Sequence, residues 1–552
     1  MKRTLSILTI VLASTLPGIA QAELSFVGPE FLVNSYTGRE QRTESARSVS
    51  RGADGSFVAV WSGDHNGGGD PDAMGTDIFG RRFDADGAPV GTEFQVNTYL
   101  TGDQQNVAVS VGGGGKFVIV WETDAGIGSC DLDSECGEMQ VCGIDGRCHG
   151  GGQDGDGLGV FGRLYDGAGN AVTGEIQINS YTTDAQSDQV VAMDDDGNFV
   201  VAWEAEFDEN DVFARFFDST GTAPANEFRV NTFTASAQRD PVIAYNGPTG
   251  FVLAWEAAGS RDGDAKGVFA QRLDAAGSPI GTEFQVNTYF TGEQVNPSIA
   301  ASGSGNGAFV IAWDSSASHP SCDTDLDCDE DTQFCNLDGK CAGGDQDGGG
   351  KGVYGQRFDV TGARVGSEFQ INTYTEGNQE QHALAMDRDG AFFAVWRRRE
   401  SNDSMGIRGR AYDTSGNPAG DEFTVNTETN DRQSAPSVAT DRLGNHVAVW
   451  ESDGQDGSKE GVFAQRFRIN LAQSEFCGDP VGPAGSPAGE PREYLVNTSD
   501  ALVVMQVAVG IAGCEPCVCD VDSSGAVRVT DALIVLQKAV GADVELTCPT
   551  CD

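Results

Sequence analysis

A five-residue phrase, Glu-apolar-x-apolar-Asn, recurs seven times along the chain. Copies begin at Glu30, Glu93, Glu175, Glu227, Glu283, Glu368 and Glu422. The chain has seven tryptophans, and each interval owns one: Trp61, Trp121, Trp203, Trp255, Trp313, Trp396 and Trp450. The intervals that start at Glu175, Glu227 and Glu368 run 52, 56 and 54 residues. Self-similarity at such a period means a stack or ring of one supersecondary unit, and it constrains the fold more than any composition figure does. Each repeat reads as four short strands. The first follows the Asn, as in residues 241–245. The second ends at the Trp, as in residues 251–255. The third resembles residues 268–274, and the fourth is the phrase itself. Alternating β-branched and aromatic residues, separated by Asp-x-x-Gly turns, support strands throughout. Four strands per ~50 residues fit a propeller blade, whereas an immunoglobulin-like sandwich needs about 100.

The phase of the repeat predicts how the ring closes. A fourth strand at residues 30–34 precedes any first strand, and the last repeat ends after its third strand at residues 462–467. The N-terminal strand can therefore complete the final blade and leave no free edge. The middle position of the third strand is always small: Gly80, Gly162, Ala214, Ala270, Gly355, Gly409 and Ala464. A missing side chain there makes room for a large neighbour, with the Trp as a candidate filler. The tryptophans are therefore expected in the core and not on a sugar-stacking surface.

Two segments interrupt the repeat, at about residues 129–149 and 321–342. They carry Cys130, Cys136, Cys142 and Cys148, and Cys322, Cys328, Cys335 and Cys341. Both lie between the second and third strands of their blades, three blades apart, and so should leave from one face. A further six cysteines, Cys477, Cys514, Cys517, Cys519, Cys548 and Cys551, lie near the C-terminus. The spacings within the inserts are wider than those of zinc sites, so disulfides are expected, in pairings that spacing leaves open. Asp-Gly runs follow several tryptophans: residues 154–156, 262–264, 345–347 and 453–456. They offer oxygens for calcium or serve as tight turns.

Residues 1–22 read as a secretory signal peptide. Lys2 and Arg3 precede an apolar run over residues 5–16, and Ala20-Gln21-Ala22 forms a small-x-small cleavage site. A secreted, extracellular protein without a transmembrane segment is expected, and disulfides suit that compartment. The 83 acidic residues against 35 basic ones give a net charge of −48, which repels nucleic acid and anionic membranes.

Phrases such as Gly267-Val-Phe-Ala-Gln-Arg-Leu-Asp and Glu283-Phe-Gln-Val-Asn-Thr-Tyr resemble repeats of large bacterial exported, often adhesin-like, proteins. The resemblance covers residues 30–470 and implies export and binding. Past a Pro- and Gly-rich stretch within residues 471–495, residues 496–510 and 527–541 agree at nine of fifteen positions. Each reads as a helix with a Ser or Thr near its start and a Gly at its end. Asp520, Asp522, Ser524 and Asp531 fall at positions one, three, five and twelve of a calcium loop. Gly525 stands at six, and the carbonyl of Ala526 at seven. The duplicated loop and helix, residues 496–552, resemble a type I dockerin with a degenerate first loop. That resemblance implies calcium as cofactor, a cohesin-like partner, and partner contacts at Thr498, Ser499, Val529 and Thr530.

The five histidines are scattered. Motifs of metallopeptidases, serine hydrolases, phosphate loops and sialidase turns are absent. The expectation is a mainly β protein: a seven-bladed propeller with two Cys-rich inserts and a small helical dockerin-like domain. Its expected role is calcium-dependent binding, adhesion or scaffolding without catalysis, toward a cohesin-like protein or an extracellular glycan or protein ligand. Two alternatives stand beside it: a polysaccharide-degrading enzyme or its accessory protein, since paired carboxylates can hide among so many acids, and a structural surface-layer component.

Overall fold

The computed structural model describes residues 23–470, apart from 38–39, 65–74, 101, 125–140, 143–147, 150–152, 155–156, 207–208, 260, 264, 304, 317–333, 336–340, 343–345, 347–349, 400–404, 442–443 and 458. Within them lie seven antiparallel sheets of four or five strands in chain order, together with two two-stranded pairings in the inserts. Blade 3 is representative. Its strands Gln186–Met193, Phe199–Glu206, Asn210–Phe217 and Phe228–Arg229 pair in sequence order. The expected seven-bladed propeller is therefore present.

Ring closure follows the expected route. Phe31 pairs with Ala464 and Leu32 with Phe463, so the N-terminal phrase is the fourth strand of blade 7. One element was not anticipated: Glu23–Phe26 adds a fifth strand to that blade, and the Val27 N–H donates to the Arg466 carbonyl at 2.9 Å.

All seven tryptophans are buried, at 0–1 % exposure, as a core role requires. Each packs across an interface. Trp255 of blade 4 lies in one cluster with Val200, Ala214 and Val230 of blade 3, and Trp313 of blade 5 with Ala270 of blade 4. The filler beside the small third-strand residue differs from the expected one. A Cβ on Gly80 would meet Phe94 at 2.9 Å, one on Gly355 would meet Phe369 at 3.2 Å, and one on Gly409 would meet Phe393 at 2.6 Å. Phe94 and Phe369 are the aromatics of the recurring phrase, directly across the ladder from their glycines. The small residue thus makes room for large side chains of its own blade, from the fourth strand at Gly80 and Gly355 and from the second at Gly409, while the next blade's Trp closes over the same cluster.

The two invariant polar residues of the phrase also have structural tasks. The closing Asn is buried in all seven copies. Its Oδ1 accepts the N–H of a third-strand residue, from Val212 to Asn231 at 2.8 Å and from Val462 to Asn34 at 2.8 Å. The same holds at Asn97, Asn179, Asn287, Asn372 and Asn426. Its Nδ2 donates to the carbonyl two residues ahead and so shapes the turn into the next blade. The opening Glu reaches the preceding blade. Glu283 accepts from Thr232 N–H at 2.9 Å and Oγ1 at 2.7 Å, and Glu30 accepts from Thr427 at 2.7 and 2.8 Å. Glu93, Glu175, Glu227, Glu368 and Glu422 clasp Ser35, Thr98, Ser180, Thr288 and Thr373 in the same way. Every junction of the ring carries this clasp, and a charged acceptor makes it stronger than a neutral hydrogen bond.

In such a blade the fourth-to-first and second-to-third connections share one end. The turns, the clasps and the departure points of both inserts (after Asp124 and after Ser316) therefore lie on one face.

Candidate functional site

The residue after each Trp is acidic in five blades: Glu122, Glu204, Glu256, Asp314 and Glu451, all buried. It stands at the end of the second strand, on the same face as the clasps. Beside it, the first strand of the next blade begins with a bulge. The pairing slips between Ser187 and Val190 in blade 3 and between Arg239 and Val242 in blade 4. Asn106, Asp188, Asp240 and Asn296 occupy these bulges at φ of 50–52°. Asn and Asp tolerate the left-handed region best among non-glycine residues, yet the same bulge takes Gln381 in blade 6 and Ala435 in blade 7, at φ of 52° and 47°, so the blade architecture imposes the conformation. A backbone held there marks a local strain that the surroundings must over-determine.

The post-Trp carboxylates supply that restraint. Glu204 accepts the Asp240 N–H of the next blade at 2.6 Å and the Asn210 Nδ2 at 2.9 Å. Glu122 accepts from the Asp188 N–H at 3.2 Å and from Asn106 Nδ2 at 2.8 Å. Glu451 accepts the Thr43 N–H at 2.9 Å. Asp314 meets Asn296 Nδ2 and His382 Nδ1, both at 2.9 Å, and Glu256 meets Lys266 Nζ at 2.9 Å. The carboxylates thus form an arc around the mouth of the central channel.

Across blades 3–5 the arc opens into a recess of about 540 Å³, lined by Asp188, Glu204, Arg239, Asp240, Glu256, Lys266, Glu293 and Lys351 among others. Burial pushes Glu204 up to about 7, and the nearby Asp188 charge adds to it. Burial first, then Glu256 and Asp188, raise Asp240 to about 6. Glu122 is raised by burial, and Glu451 rises to about 7 by burial with Glu460 nearby. Groups that hold protons near neutrality, interleaved with Arg239, Lys266 and Lys351, can both donate to and accept from a hydroxyl-rich ligand. Among the described residues, no group of His, Cys, Asp or Glu is arranged to hold a metal ion.

The sequence-derived candidates fare unequally. In the Asp-Gly runs, Asp154 and Asp262 have structural roles: their carboxylates accept from the buried Asn179 and Asn287 at 3.0 and 2.9 Å. The loop residues Gln153, Arg261 and Gln455 reach the clasp residues Glu175, Glu283 and Glu30. The insert backbones place Cys142 across from Cys148 and Cys335 across from Cys341. The sulfur pairings lie outside the described residues. So do the signal peptide, the calcium set Asp520, Asp522, Ser524, Ala526 and Asp531, and the docking set Thr498, Ser499, Val529 and Thr530.

The channel-mouth arc escaped the sequence reading. Its signal was the Trp-acid dipeptide, present in five of the seven repeats.

No family model matches the chain, and no curated protein does. Solved structures similar to it share about a tenth of its sequence. One is a protein of unknown function from Dyadobacter fermentans, 11 % identical, with 82 % of this chain and 100 % of that one covered, at a TM-score of 0.43. Another is an ulvan lyase of a polysaccharide lyase family bound to a GlcA(1-4)Rha3S saccharide, 10 % identical over 80 % and 96 %, at 0.43. A third is the β-propeller domain of a trilobed protease from Pyrococcus furiosus, 9 % identical over 85 % and 100 %, at 0.38. These likenesses are too distant to bear on what the chain does.

Proposed function

We propose that this chain is an exported binding protein whose propeller recognises its ligand on the face that carries the channel mouth. One observation carries the reading. The polar residues common to all seven repeats are spent on the Asn turns and Glu clasps, whereas residues that change from blade to blade, Arg239, Lys266, Glu293 and Lys351 among them, line one open recess beside the post-Trp acids. A rigid ring with a variable polar mouth is the arrangement of a binding scaffold, with function placed where connections meet. The tail completes the proposal. Asp520, Asp522, Ser524, Ala526 and Asp531 hold one calcium ion, and Thr498, Ser499, Val529 and Thr530 dock a cohesin-like partner. Binding by the intact protein to arrayed glycans and extracellular proteins, with the ligand recovered unchanged, tests it. The absence of any ligand defeats it.

The second reading is a glycan-processing enzyme. Glu204 and Asp240, both raised toward neutrality in one recess, favour it because acid and base roles need such values. Release of shorter saccharides, abolished by E204Q, would decide for that reading.

A further inference from the structure

The recess across blades 3–5 is polar almost throughout. Val295 is the one apolar side chain among its twelve lining residues. Small-molecule sites are mostly apolar, so a lining of this kind suits a ligand that hydrogen-bonds all round, as a hydroxyl-rich one does. The volume of about 540 Å³ lies within the ~300–1,000 Å³ of small-ligand sites.

The charges of the lining do not cancel pair by pair. Asp188 faces Arg47 at 3.8 Å, and Glu256 holds Lys266 at 2.9 Å. Glu204 is taken up by the Asp240 N–H and by Asn210, and burial raises both Glu204 and Asp240 toward neutrality. Glu293, whose charge reaches Lys266, is the one carboxylate left. Against it stand two cations. Among the described residues, neither the Arg239 nor the Lys351 side chain has an ion pair or a hydrogen bond. Arg239 is exposed and Lys351 half-buried, so a ligand can reach both.

The ring itself does not require these cations. Lys351 stands two residues before the third-strand N–H that the Asn accepts, where other blades carry Thr76, Leu158, Asn210, Lys266, Met405 and Glu460. Arg239 follows the buried Gln at the start of the first strand. Its counterpart in blade 1, Arg42, pairs with Glu40 and Glu460 at 2.7 and 3.1 Å. Arg239 has no such partner.

We propose that the recess binds an acidic saccharide unit, its carboxylate on Arg239 and Lys351 and its hydroxyls on Glu204 and Asp240. The proposal rests on the binding function above and names its ligand class. A guanidinium and an ammonium without partners select a carboxylate, because charge-assisted hydrogen bonds are the strong ones. The polar lining selects a hydroxyl-rich carrier over a lipid or an apolar peptide. The net charge of −48 repels a polyanion, so isolated acid groups are favoured over a polyuronate. Glu204 faces Asp188 and Asp240, and Asp240 faces Glu256, Asp188, Arg47 and Lys266. Both hold protons below about pH 6 and are charged above about 7, so affinity for an anion falls as pH rises.

An array of short oligosaccharides, probed with the intact protein at pH 5.5 and 8, tests this. Each member ends in glucuronate, galacturonate or mannuronate and is printed beside a twin whose carboxyl is reduced to the alcohol. At pH 5.5 at least one acidic member should be retained at least tenfold over its twin, with weaker retention at pH 8. Arg239→Ala with Lys351→Ala should lower retention at least tenfold, while Lys351→Arg stays within threefold. An unchanged thermal midpoint certifies the fold, and single Arg239→Ala replaces the pair if the pair unfolds. Three results overturn the proposal: twins bound alike, retention that rises at pH 8, or retention indifferent to the loss of both cations. A neutral glycan or a protein bound in the recess overturns the ligand class alone and leaves the binding function standing. No ligand of any kind overturns both.

Discussion

Asn231→Ala removes one turn lock. Three hydrogen bonds go: Val212 N–H to Oδ1 at 2.8 Å, and Nδ2 to the Asp211 carboxylate at 2.6 Å and to the Phe233 carbonyl at 2.9 Å. The Phe233 carbonyl can turn to water, and Asp211 keeps Arg229 at 3.3 Å. Val212 is fully buried, so its N–H is stranded. A stranded buried donor costs about 1–3 kcal/mol, and the loosened turn adds to it, for a total of about 2–4 kcal/mol. Urea unfolding followed by tryptophan fluorescence suits the test, because Trp255 shares a cluster with Val212. Asn231→Asp sharpens it. The new carboxylate keeps the Val212 bond but faces Asp211, so its proton is held above the usual range. Stability is then present at acidic pH and lost as pH rises, and the variant should be less stable than Asn231→Ala at pH 7.5 and more stable at pH 4. An Asn231→Ala midpoint within ~0.5 kcal/mol of the parent would refute the reasoning, since exposed polar sites behave that way.

Other tests follow from the same structure. Glu204 rises from 4.5 to about 7, so its protonated form favours the fold; that contribution is complete below about pH 4.5 and lost as pH rises through 7. Glu204→Gln should match the parent at pH 4.5 and exceed it at pH 8 by at most ~3 kcal/mol, at 1.36 kcal/mol per unit; equal differences at both values in thermal melts would contradict this. Gly409→Ala forces a Cβ to within 2.6 Å of Phe393 and should cost about 1–3 kcal/mol in urea unfolding; a neutral result would count against the packing account. Deleting residues 23–34 removes the Glu30 clasp and both N-terminal strands of blade 7. Lowered stability or association through the bared edge is expected by calorimetry and light scattering. For the tail, calorimetry on the full chain should show calcium heat that Asp520→Ala abolishes.

The ring was legible because its information is one-dimensional. Seven phrases, seven tryptophans and a stray N-terminal strand encode blade number and closure without any knowledge of distant contacts. The buried Trp and small third-strand positions were legible for the same reason. The identity of the filler was not, because Gly80 and Phe94 become opposite only once the third and fourth strands are in register. Glu283 and Thr232 are likewise partners across a blade junction that no local pattern displays. The channel mouth was least legible. Glu204 matters because the next blade bulges at Asp240, where the backbone turns left-handed, and an acid after a Trp looks like any other in so acidic a chain.

The central claim is recognition without turnover on one face. The intact protein should be incubated with its best-bound polysaccharide, and the mixture followed both for complex formation and, by mass spectrometry, for saccharide length. The account predicts a complex that is weakened at least tenfold by Arg239→Ala with Lys351→Ala, which removes two cations from the lining of the recess. It should be untouched by Val172→Ser, an exposed change on a third-to-fourth connection, and the saccharide should be recovered at its original length. Shortened saccharide, or a complex that Val172→Ser disrupts while the Arg239 and Lys351 pair does not, would contradict it.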